Sequence, residues 1–273
     1  MEITMEIQQW REFLIPYEQA VQELVIKFQN IIREYTSLGQ YSPIEQVNGR
    51  VKKISSILEK VDKKNMELSD VEERIEDIAG VRIICQFVED IGTVVDLIRG
   101  RQDMEIIAEI NYVAHKKASG YRSYHIIVKY PVQTVFGRRI VKAEIQIRTL
   151  AMNFWATIEH SLRYKYQGGL PQDVQDRLQK AAEAAYHIDR EMSSIRSEII
   201  DAQEAFKEKS NLVGDILSNI ENIYLGSEKI AMREAQAELF ELIRENNLDK
   251  MRSFGARIDD VAQHHGVQSL SDF

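Results

Sequence analysis

The segment Ser119–Pro131, SGYRSYHIIVKYP, sets two phenols, a guanidinium, hydroxyls and an imidazole side by side just before an apolar run. Read as a strand, it shows Tyr121, Ser123, His125, Ile127 and Lys129 on one face and Arg122, Tyr124, Ile126, Val128 and Tyr130 on the other. A second segment, IVKAEIQIRT (140–149), returns through TVFGRR, with Gly137 at the turn. It aligns Glu144, Gln146 and Arg148 on one face and Ala143, Ile145 and Ile147 on the other. The second face is core. If the first shares a sheet face with Tyr121 and His125, a polar floor results, with a carboxylate among hydrogen-bond donors. The other reading is a solvated face crossed by ion pairs.

Three further clusters hold chemistry-bearing residues. In IEDIAGVRII (75–84), Asp77 precedes a buried strand and Arg82 projects from inside it. Arg is seldom buried unless it is paired or holds an anion. Either the two form a structural pair, or Asp77 ligates Mg2+ beside an Arg that grips a ligand. Mg2+ takes one or two carboxylates plus substrate phosphates, so Asp77 and Glu144 would suffice. In GRVKKISSILEK (49–60), Arg50, Lys52 and Lys60 flank a helix start that Ser55 or Ser56 is expected to cap, an arrangement suited to phosphate. In TLAMNFWATIEHSLRYKY (149–166), Ala151, Trp155, Ile158 and Leu162 make an apolar stripe. Asn153, Thr157, His160 and Tyr164 make a polar one.

The elements that must position these residues follow from periodicity. Residues 6–37 read as a helix, 46–54 as a short strand, then a short helix. Strands follow at 81–88, 104–113, 122–130 and 140–149, with a helix at about 90–101. From Thr149 onward the chain reads helical (149–165, about 172–206, and on to about 262), with breaks at GGLP (168–171), near 211–214 and near 226, and a hinge at 223–226. The expected fold is α+β: a mixed sheet of about five strands flanked by helices, followed by C-terminal helices.

The chain has 273 residues and a net charge of −8, which argues against a non-specific nucleic-acid binder. No apolar run is long enough for a transmembrane helix, and the acidic N-terminus lacks a signal pattern. A lone Cys85 excludes an intramolecular disulfide and any multi-cysteine metal site. A cytoplasmic protein fits. No glycine-cradle nucleotide motif, zinc helix or nucleophile elbow occurs, so nucleotide binding would use scattered Arg and Lys.

Taken in order, GRVK…SILEK, DIAGVRI, SGYRSYH and EIQIRTLAMNFWATIEH resemble the synthetase domain of the RelA/SpoT superfamily, most nearly its small alarmone synthetases of the RelQ type. The resemblance spans roughly residues 8–205. It implies a nucleotidyltransferase-like sheet and transfer of the β,γ-pyrophosphate of ATP to the 3′-OH of GDP or GTP, giving ppGpp or pppGpp and AMP in the stringent response. It implies that Arg50 and Arg82 sandwich adenine and that Lys52, Ser56 and Lys60 hold ATP phosphates. Asp77 would bind Mg2+, and Glu144 would bind Mg2+ or activate the 3′-OH. Tyr121 would stack on guanine, with Lys117, His125, Gln146 and Asn153 around the acceptor. No His-Asp dipeptide and no N-terminal room for a hydrolase domain are present, so synthesis without hydrolysis is expected. A homotetramer is implied.

Ile110 and Asn111 stand where the family has a basic residue and then Asp, which predicts weaker binding of acceptor phosphates. Gln46 and Asn48, with Val25 and Gln29 on the first helix, replace groups that form a product-sensing pocket at the subunit interface in the RelQ type. Weak or absent activation by pppGpp is therefore expected. The synthetase domain is expected over 1–207, and a helical extension, read as a packing or oligomerisation element, over 208–273. The alternatives are a toxin-type relative that pyrophosphorylates tRNA or adenine nucleotides, and a catalytically weak nucleotide- or RNA-binding regulator.

Overall fold

The computed structural model describes residues 7–166, 169–223 and 229–264. In chain order the elements are α1 (Ile7–Ser37), β1 (Gln46–Val51), α2 (Ile54–Lys64), α3 (Val71–Arg74), β2 (Ala79–Cys85), α4 (Val88–Arg99), β3 (Glu105–Asn111), β4 (Tyr124–Thr134), β5 (Gly137–Thr149), α5 (Leu150–Lys165), α6 (Gln172–Ile223), α7 (Lys229–Glu245) and α8 (Leu248–His264). The chain forms two compact units that divide after Ser194, within α6.

The first unit is built on a five-stranded sheet in the order β1-β2-β5-β4-β3. β2 and β5 run parallel, and the other neighbours are antiparallel. Val81, Ile83, Ile126, Val128, Ile145 and Ile147 are buried in one core with Tyr17, Leu24 and Phe28 of α1 and Ile91, Val94 and Ile98 of α4. Side chains alternate along each strand, so the intervening positions form the opposite face. The helix α1 lies very close to β1 at Gly49. A Cβ there would stand 2.5 Å from Val21 Cγ1 and 2.7 Å from Val25 Cγ2.

In the second unit, Ile216, Ile220, Leu239, Phe254 and Ile258 form a separate core from the end of α6, α7 and α8. No helix of the described residues is long and apolar enough to cross a membrane.

The five-stranded sheet and the first helix match expectation, although β1 ends at Val51 and not 54, and β2 at Cys85 and not 88; four further local readings do not hold. The strand after the SGYRSYH turn begins at Tyr124, not at residue 122, because Lys117 N–H bonds to Tyr121 O and Gly120 N–H to Lys117 O, closing a tight turn. Neither Ser55 nor Ser56 caps α2. Lys53 holds the N-cap position, without a side-chain cap, immediately after the strand-like bond from Lys52 N–H to Ile78 O. The helix α6 runs unbroken through 211–214. Gly214 costs such a helix about 1 kcal/mol, but Leu212, Ile216 and Ile220 on either side of it pack into the second core. The expected break at 226 and most of the hinge at 223–226 lie outside the described residues. Among the described side chains of α5, Met152, Trp155 and Ala156 are buried, all within the first two turns, while Ile158 and Leu162 are exposed.

Candidate functional site

Strand register builds the site. The row Asn48–Arg82–Gln146–His125–Ile110 crosses all five strands as directly opposed residues, and Arg50–Gly80–Glu144–Ile127 forms the adjacent row. The polar faces of β4 and β5 do coincide. They do not form a wet surface, since His125 is 7% and Arg148 5% exposed.

A cleft of about 200 Å³ opens over these rows, lined by Asn48, Gly49, Arg50, Asp77, Gly80, Val81, Arg82, Glu144 and Gln146. Thus β1, the approach to β2, β2 itself and β5 each contribute a charged group. Gly80 stands opposite Glu144 in register, and a Cβ there would lie 3.9 Å from Arg50 Cγ.

Asp77 does not pair with Arg82. Its two oxygens accept from Lys52 Nζ and Lys60 Nζ, each at 2.8 Å. Burial pushes the Asp77 carboxyl upward, but the hydrogen bonds and charges of the two lysines outweigh it and hold the pKa below the usual value. Arg82 has a buried Nε without a partner. Burial, then the charges of Arg148 and Arg50, pull its pKa below the ordinary value. Guanidinium groups crowded in this way favour a polyanion, which relieves both the desolvation and the repulsion.

Beside the cleft, five side chains close a hydrogen-bond ring. Arg148 donates to Tyr121 OH and to Gln146 Oε1, both at 2.6 Å. Tyr121 OH lies 2.8 Å from His125 Nε2, and His125 Nδ1 lies 2.8 Å from Glu144 Oε1. Gln146 Nε2 donates to Glu144 Oε2 at 2.6 Å. The directions follow from chemistry: Arg only donates and a carboxylate only accepts. Both bonds at Arg148 therefore run outward from the guanidinium, and both bonds at Glu144, from His125 Nδ1 and Gln146 Nε2, run into the carboxylate. Burial raises the pKa of Glu144, but the bond and charge of His125 and the Gln146 bond leave it lowered. Glu144 is thereby held as a carboxylate with one hydrogen bond on each oxygen.

The rings of Tyr112, Tyr121 and His125 meet edge to face, with centroids 5.2–6.0 Å apart. Lys117 Nζ stands 4.4 Å from the Tyr112 centroid and 4.9 Å from that of Tyr121. Asn153 lies in the first turn of α5 with its Oδ1 buried and without a partner. Ser56 is in the first turn of α2, four residues before Lys60 and so on the same helix face. His160 is exposed and makes no contact with this cluster among the described interactions.

The expected residues therefore fall into two adjoining groups. Arg50, Asp77, Arg82, Glu144 and Gln146 line the cleft, with Lys52 and Lys60 on Asp77. Lys117, Tyr121 and His125 join it through Glu144. Sequence reasoning aligned Arg148 with Glu144 but gave it no role, and it passed over Tyr112. The period-2 spacing from Glu144 was the available signal for Arg148; Tyr112 had none.

The described residues hold no group of three or more His, Cys, Asp or Glu side chains able to cage a metal. Two carboxylates in one cleft still suit Mg2+, which completes its shell with phosphate oxygens and water.

Crowded guanidiniums, lysines and two carboxylates over a polar sheet face suit a polyanionic ligand. Residues 49–169 match the model of the region found in RelA/SpoT proteins. The GTP pyrophosphokinase YjbM of Bacillus subtilis is 53% identical over 205 residues, 75% of this chain and 97% of the relative. The small alarmone synthetase 1 of B. subtilis, bound to its product pppGpp, superposes with a TM-score of 0.68 at 54% identity, over 70% of this chain and 98% of that one. The same enzyme bound to AMPCPP gives 0.63 at 50% identity, over 71% and 99%. The chain belongs to the RelA/SpoT family, among its small alarmone synthetases.

Proposed function

We propose that the protein is a GTP pyrophosphokinase that moves the β,γ-diphosphate of ATP to the 3′-OH of GDP or GTP. The observation that carries this reading is Glu144. It lies at the junction of the cationic cleft and the Tyr121–His125 group, held as a carboxylate on both oxygens.

Arg50 and Arg82 take the adenine between them, one from each of two paired strands. Lys52 and Lys60, with Ser56 at the helix start, hold the phosphates. Tyr121 stacks on guanine, a contact worth about 1–3 kcal/mol. Lys117, His125, Gln146 and Asn153 surround the acceptor nucleotide. Asp77 and Glu144 are the residues that would hold Mg2+, which when bound neutralises phosphate charge.

The 3′-oxygen attacks the β-phosphorus, the bond from that phosphorus to the α,β-bridging oxygen breaks, and AMP leaves. The 3′-OH proton passes to Glu144. Positioning and charge stabilisation dominate phosphoryl transfer, and a general base contributes about 10²–10⁴-fold.

Ile110 is 41% exposed and sits directly opposite His125. An apolar side chain at this edge of the acceptor floor removes a cation from the phosphate side and favours acceptors with fewer phosphates. We place the enzyme in the cytoplasm as a homotetramer, which light scattering on the purified protein tests.

The test of function is a product assay with Mg2+ and γ-labelled ATP, and with GDP, GTP, GMP or bulk tRNA as separate acceptors. Label in ppGpp or pppGpp is the expected result and ranks the acceptors. Label moving only to tRNA, or to none of them, refutes the proposal.

A further inference from the structure

The loop between β3 and β4 carries Lys117 and Tyr121, yet Lys116, Lys117 and Ala118 at its tip are exposed. Its anchorage comes from one face of α6. Glu183 pairs with Lys116, and its other carboxylate oxygen lies 4.0 Å from Arg122. The Arg122 guanidinium stands 3.9 Å above the Tyr186 ring while donating to Val113 O at 2.7 Å. Gly120 has φ +89°, and a Cβ there would lie 2.6 Å from Ala182 Cβ and 3.7 Å from Gln179 O. Tyr121 packs against the cluster of Trp155, Ala156 and Ala182.

Residues 179, 182, 183 and 186 have the spacing i, i+3, i+4, i+7, so they form a single stripe. Trp155 Nε1 donates to Leu178 O at 2.8 Å and ties that stripe to α5. The stripe lies beyond residue 169, where the match to the RelA/SpoT region ends.

We propose that this stripe of α6 is a clamp on the acceptor loop, and that Glu183 and Tyr186 are positioning residues that set affinity for the guanine nucleotide. The inference rests on the pyrophosphokinase reading. Glu183 and Tyr186 touch loop residues, not the floor that holds Glu144. A loop that is held only part of the time lowers apparent acceptor affinity by the fraction held, and leaves the ATP side alone.

Initial rates with GDP and ATP varied in turn test this. Half-exposed ion pairs contribute little singly, so Glu183→Gln is expected to raise KM for GDP about threefold. Crowding Gly120 with Ala182→Leu raises it further, about tenfold. KM for ATP stays at the wild-type value in both. The double variant Lys116→Met, Glu183→Gln raises KM for GDP less than the product of the two single effects, because both act through one pair. An unchanged KM for GDP, or KM values for GDP and ATP that rise together, overturns the clamp. If Ala182→Leu lowers the thermal midpoint, Glu183→Gln and Tyr186→Leu carry the same test. A wild-type enzyme that transfers no label to GDP or GTP overturns the pyrophosphokinase reading itself.

Discussion

His125 Nδ1 lies 2.8 Å from Glu144 Oε1, diagonally across the β4–β5 pair and two residues from direct opposition: His125 faces Gln146, and Glu144 faces Ile127. The diagonal lets one carboxylate take a bond from His125 on one oxygen and from Gln146 on the other. Replacing that carboxylate by an amide, Glu144→Gln, keeps the shape and removes the base. Turnover is expected to fall by at least about 10²-fold, with ATP and GDP binding retained by equilibrium titration. Turnover near wild type would show that Glu144 is neither base nor metal ligand.

Tyr121→Phe keeps the ring for stacking and cuts the link from Arg148 to His125. Loss of hydrogen bonding worth about 1 kcal/mol predicts a fall in kcat of roughly fivefold, with little change in KM for GDP. A large rise in KM alone would mean that the hydroxyl serves the nucleotide and not the ring.

Asp189, on α6, is buried and accepts from Thr149 Oγ1 at 2.7 Å. Burial pushes its pKa up to about 6, against the bond from Thr149; the charge of Glu89 adds to the rise. Its folded pKa exceeds the unfolded one, so the folded chain binds more protons between the two. Stability from this group is present at low pH and declines as pH rises through about 6. Asp189→Asn is expected to stabilise the protein at pH 7.5, by about 1–3 kcal/mol, and to lose most of that advantage near pH 4. Melting curves at the two pH values decide it. An equal shift at both would place the effect in packing.

Leu239 is fully buried in the second core. Leu239→Ala should cost about 2–5 kcal/mol and speed amide exchange in α7 and α8 while the sheet stays protected. Loss of protection in both units together would show one cooperative fold.

Gln46 and Asn48 lie exposed on β1, and Val25 packs close to Gly49. None is a cation or an aromatic ring suited to a guanine product. Adding pppGpp should leave the initial rate within about twofold. A strong rate increase would show a product-sensing site made of other groups.

Much of the molecule was readable from the chain. Alternation along AEIQIRT separates Ile145 and Ile147 from Glu144, Gln146 and Arg148, because a strand with one buried face must alternate. Helical spacing identified α1 for the same kind of reason. The motif resemblance supplied Asp77, Arg50 and the rest as a set. The break expected near 211–214 does not occur because local propensity counts Gly214 but does not see the core that its neighbours fill.

The sequence by itself determined which residues share a strand face, and hence that a carboxylate, an amide and a guanidinium lie in line. Only the tertiary structure decided that β2 runs beside β5, bringing Arg82 against Gln146, that Asp77 goes to two lysines and not to Arg82, and that α6 packs against the loop between β3 and β4. Periodicity is a local property of the backbone. Register, partner choice and helix return depend on contacts between residues far apart in the chain, which are settled by burying one common core.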